Sequence, residues 1–175
     1  MERLSISLNE KSVAIIKKYQ QKYDTSQADI VRKALHFLDA MDEITEKTPL
    51  ETILAYIHFL ADNEHLIVDI AQWKAIFIEI GEGSKKFWDD VWKIGDFHSK
   101  EYRDKGIHEP EDILRYMEKT NWYSLKVDSK NNFTLVLSIS ESARFIKIFF
   151  EGFFSNYPQK VAVQEEFMKI RINFL

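Results

Sequence analysis

Arg3, Ser5 and Ser7 are the side chains whose types and spacing point most directly to chemistry, and they alternate with Leu4, Ile6 and Leu8 in the run RLSISL. Successive side chains of an extended chain face opposite ways, so one face carries a guanidinium and two hydroxyls and the other three aliphatic groups. A guanidinium can donate two parallel hydrogen bonds to O6 and N7 of guanine, and a hydroxyl can donate or accept at a base edge. The aliphatic face needs cover. A six-residue strand followed at once by helix has no local partner, and the same strand from a second copy of the chain supplies one. A two-stranded ribbon of that kind fits the major groove of B-DNA. Double-stranded DNA is therefore the expected partner, with base contacts from Arg3, Ser5 and Ser7.

The elements that would hold this strand follow directly. Asn9 is a good N-cap for a helix running to about Tyr23, with Val13 and Ile16 on its apolar face. Asp24 to Gln27 break the pattern, and Ser26 caps a second helix from about Gln27 to Asp42, with Ile30, Val31, Ala34, Leu35 and Leu38 as its stripe. Leu4, Ile6, Leu8, Val13, Ile16, Ile30, Val31, Ala34 and Leu35 form the expected dimer core. The unpaired backbone N–H groups near Ser26, Gln27 and Ala28 suit a phosphate, and Lys11 is a further phosphate candidate. Residues 3–33 hold seven basic and three acidic side chains, a net of +4, within a chain of net charge −4. The positive charge thus gathers where phosphate contact is expected.

Residues 3–38, and with the rest of the second helix the segment to about residue 43, resemble the ribbon-helix-helix family of the Arc, MetJ and CopG type. The matching features are the RLSISL strand, the helix closed by a short turn, and SQADIVRKAL at the start of the second helix. The resemblance implies an intertwined homodimer, base reading by Arg3, Ser5 and Ser7, and phosphate anchoring by Ser26 and Gln27. Glycine often stands at the turn in that family, and Asp24 stands there in this chain; aspartate tolerates the left-handed backbone better than most residues.

The polar segment 41–49 (MDEITEKTP) reads as a linker, dividing a domain over residues 1–45 from one over 49–175. Beyond it, Leu50 to Ala61 reads as helix. His65 to Ile80 is ambiguous, with strand favoured by the alternating Ile76, Ile78 and Ile80. Helices are expected from Ser84 to Lys105 and from Glu109 to Lys119. Two strands follow, Trp122 to Asp128 and Phe133 to Ile139, joined by a turn at 129–132. A helix over Glu141 to Tyr157 and strands at Val161 to Glu165 and Met168 to Phe174 complete an α+β domain with an antiparallel sheet.

The chain contains no cysteine, which excludes disulfides and thiolate chemistry. Its apolar runs are too short to span a bilayer and no export leader opens it, so a cytoplasmic protein without membrane contact is expected. No nucleophile and base are paired, and His98 with Glu101 makes no more than a fragment of a metal site. An enzyme, a metal and a cofactor are accordingly not expected. The aromatic stretches Phe87–Phe97 and Phe145–Tyr157 read first as core and interface, and second as the wall of a pocket for an apolar small-molecule effector. The C-terminal domain is thus expected to support higher oligomers or to sense a ligand. The function these residues point to is a homodimeric transcriptional regulator, a repressor; the alternative is an antitoxin-type autorepressor whose C-terminal part binds a protein.

Overall fold

The computed structural model describes residues 5–61 and 65–175. The chain falls into two compact units, Met1–Leu54 and Ala55–Leu175, the division lying inside one helix. Among the described residues, no helix is long and apolar enough to cross a membrane.

In the first unit, α1 (Glu10–Tyr23) starts where Asn9 Oδ1 accepts the Ser12 N–H at 2.9 Å. It stops where Asp24 enters the left-handed region, at φ 45° and ψ 57°, and the Thr25 N–H returns to the Gln20 carbonyl. That closes two orphan carbonyl positions with a residue whose short polar side chain tolerates the conformation. α2 (Gln27–Lys47) then runs for 21 residues. The linker expected over 41–49 is a correction: helix continues through Lys47, leaving Thr48 and Pro49 as the break. The charges of that segment are a solvated helix face rather than a loop, with Lys47 Nζ 3.0 Å from Glu43 one turn back and the Thr45 hydroxyl on the Met41 carbonyl.

The second unit begins within α3 (Leu50–Ala61) and continues with α4 (Ile70–Ile80), α5 (Lys85–Asp104) and α6 (Pro110–Glu118). The strand expected toward Ile80 is a second correction. Asp69 caps a helix by accepting the Ala71 N–H, and Trp73, Phe77 and Ile80 recur at helical spacing. Packing of Trp73 and Phe77 against Phe145, and of Trp73 against Trp122, overrides the β preference of the isoleucines.

The strands β1 (Tyr123–Ser129), β2 (Asn132–Leu137), β3 (Val161–Glu166) and β4 (Lys169–Phe174) form an antiparallel sheet in the order β1-β2-β4-β3. α7 (Ala143–Phe153) lies between β2 and β3 in sequence. Register pairs Leu135 with Ile170 and Phe133 with Ile172, so these four buried side chains share a face. They join the α7 residues Ile146, Phe149, Phe150 and Phe153 in one core. The sheet and its helices bear out the α+β expectation.

The closest helix contact is between α5 and α7. A Cβ built on Gly95 would stand 2.1 Å from the Phe149 carbonyl oxygen, and one on Gly152 would stand 2.0 Å from that of Trp92. Each glycine therefore accommodates the other helix's backbone, and no side chain fits at the crossing.

Candidate nucleic-acid interface

The start of α2 is the best-defined polar site of the first unit. The Ser26 hydroxyl oxygen accepts the Asp29 N–H at 3.1 Å while its proton is donated to Asp29 Oδ2 at 2.6 Å. Thr25 donates to the same carboxylate oxygen at 3.3 Å, and Arg32 pairs with the other. These hydrogen bonds, from Ser26 first and then Arg32, hold the Asp29 carboxyl at about 2, so it is ionised throughout the neutral range. The result is a reciprocal cap with its charge balanced by Arg32. It changes the expected division of labour at this end. The Ser26 hydroxyl is committed to the cap, while the N–H groups of Gln27 and Ala28, in the first turn, lack an acceptor within the helix. Gln27 and Ala28 are exposed.

Lys11 is exposed at the first turn of α1. A grouping that the pattern of single residues did not single out lies at the other end. Tyr19 and Tyr23 stack with centroids 5.9 Å apart, and Lys22 and Lys33 both sit over the Tyr23 ring, at 5.3 and 5.5 Å. Lys18 stands over Tyr19 at 5.6 Å. The two tyrosines gather cations from both helices, a cation–π arrangement. The signal was present as tyrosines four residues apart with lysines beside them.

Of the strand residues, Arg3 and Leu4 lie outside the described residues. Ser5, Ile6, Ser7 and Leu8 are exposed and form no strand in the single chain. A strand needs a hydrogen-bonding neighbour, and none of the four strands present belongs to this unit. Of the helical residues expected in a dimer core, Ile30 alone is buried, at 8% exposure. Val13, Ile16 and Val31 are half-buried, and Ala34 and Leu35 are open to solvent.

The aromatic stretches of the second unit divide. Phe149, Phe150, Phe153 and Phe154 are buried and meet each other edge-on or tilted, with Phe150 and Phe154 stacked. Phe145 meets Trp73, Phe77 and Trp122. Trp88 carries the Arg144 guanidinium 4.4 Å above its ring, while Trp92 and Phe97 face solvent. Most of these rings are therefore core. His98 Nδ1 lies 3.0 Å from Glu101 Oε2. Among the described residues, no three histidine or carboxylate side chains gather to hold a metal.

No family model matches the chain, and neither a curated protein nor a solved structure shows a significant likeness to it.

Proposed function

We propose that the protein is a homodimeric DNA-binding transcriptional regulator, acting as a repressor, in which the N-terminal strands of two copies pair and enter the major groove. The observation that carries this reading is the missing core of the first unit. Two well-capped amphipathic helices bury a single apolar residue between them, while Leu35 and the aliphatic side of RLSISL stay in water. A second copy supplies what one chain lacks: a neighbour for the strand and a cover for the stripe. Pairing through Leu4, Ile6 and Leu8 leaves Arg3, Ser5 and Ser7 facing outward. The Gln27 and Ala28 N–H groups and Lys11 then act on phosphates, which set register and carry no base information.

The test is binding to the DNA upstream of the protein's own gene, with salt concentration varied. Replacing Arg3→Ala and Ser5→Ala together is expected to weaken specific binding by about 1–3 kcal/mol for the lost bidentate contact, leaving non-specific binding nearly intact. Lys11→Ala is expected to weaken all sequences alike and lower the salt slope by about one. Unchanged specific affinity in the Arg3/Ser5 variant would remove the ribbon from base reading.

A further inference from the structure

The second unit carries an apolar surface of its own, away from its core. α3 buries Ala55 and turns Ile57 and Leu60 to solvent. Past the end of that helix, Leu66, Ile67 and Val68 are exposed at 89%, 70% and 40%, and Ile70 at the start of α4 at 50%. Leu54 and Leu50 continue the Ile57 face of α3 one and two turns back, since residues three and four apart share a helix face. Contiguous exposed apolar area of more than a few hundred Å² marks an interaction surface.

We infer that this surface, centred on Ile57 and Leu66–Val68, is a second contact between the same two copies of the chain. The inference rests on the dimer reading above. The area selects the occupant. The six side chains from Ile57 to Ile70 together present on the order of 600 Å², below the ~800 Å² that each partner gives to a standard interface. A patch of that size holds a free partner poorly. It holds well a partner already tethered, because the second contact is then made at an effective concentration in the millimolar range. The tether is short: α3 starts after the two-residue break that ends α2, so two copies joined through their first units keep these patches within reach. A contact between identical patches is also self-complementary about a two-fold axis, as closed homodimers require.

The experiment uses the full chain and sedimentation equilibrium over a wide concentration range. Ile57→Glu with Ile67→Glu puts charges into the patch at exposed positions. It is expected to raise the dimer dissociation constant about ten-fold or more while the far-ultraviolet spectrum stays unchanged. Ile57→Gln with Ile67→Gln gives the same trend, should two carboxylates disturb α3. Leu35→Glu, in the first unit, is expected to leave a monomer at concentrations where the wild type is dimeric, because the patch alone is too small. If Leu35→Glu dissociates the dimer and both patch pairs leave the constant unchanged, the second contact is wrong and the dimer reading stands. That result would assign the patch to a different occupant, such as another protein or the chain's own first unit. A wild type that remains monomeric throughout would sink the dimer reading, and this inference with it.

Discussion

The two units of this chain are stabilised in opposite ways. The first is rich in local devices: side-chain caps at Asn9 and Ser26, a left-handed stop at Asp24 and a carboxylate balanced by Arg32, yet it buries one apolar side chain. The second has a contiguous core running from Val91 to Phe174, closed by a backbone-to-backbone helix crossing. Caps and turns each contribute about 1 kcal/mol and specify conformation; burial of large side chains supplies the cooperative stability. A unit with the former and little of the latter has a shape without a reason to keep it, until a second copy covers its stripe.

The strongest way to break the contrast is at the α5–α7 crossing. Gly152→Ala places a methyl inside the Trp92 carbonyl's van der Waals radius, and neither helix backbone can give way cheaply. A loss of ~3 kcal/mol or more is expected, at the severe end of overpacking, read as a lowered midpoint in denaturant. The first unit should be indifferent to it. Dilution is the converse probe. All four tryptophans, Trp73, Trp88, Trp92 and Trp122, lie in the second unit. Lowering the concentration ten-fold is expected to shift the melting of α1 and α2, followed by helical circular dichroism, while tryptophan fluorescence reports a transition that moves far less.

Smaller effects sharpen the picture of the first unit. The Asp29 carboxyl sits below its ordinary value of 3.8, at about 2. A group whose pKa is depressed on folding adds stability that is present above the ordinary value and lost as pH falls toward the depressed one. The cap of α2 should therefore weaken between pH 4 and 2. Carbon NMR of the Asp29 carboxyl in Ser26→Ala should show the midpoint moving back up. Asp24→Gly is expected to help, by ~1 kcal/mol, because glycine meets no Cβ penalty in the left-handed region. A loss there would mean that the Asp24 side chain does more than tolerate the turn.

What could be read from the residues alone was local. Asn9, Ser26 and Ser84 announce their helices because a cap is a contact within three residues. The β1–β2 hairpin shows in its alternation and polar turn, although the turn closes on two residues, Lys130 and Asn131, rather than four. α4 was illegible because its isoleucines carry a β preference that only Trp122 and Phe145, distant in sequence, overrule. The end of α2 was illegible for the opposite reason: a wholly solvated helix turn and a linker have the same composition. At the candidate interface, the Ser26 cap was foreseen. Its hydroxyl's commitment to Asp29 was not, since hydrogen-bond direction depends on a rotamer. The sheet order β1-β2-β4-β3 rests on pairings that no short window contains.

The glycine crossing also has a consequence in time. Gly95 and Gly152 come together only after α6, β1, β2 and α7 have been made, and β4, which completes the sheet, is the last element of the chain. The first unit is self-defining within its opening turns and leaves the ribosome well before that closure is available. During synthesis, therefore, the halves that seek a partner are exposed while the halves that need none are still unfinished, an order in which two growing chains can pair before either has set its core.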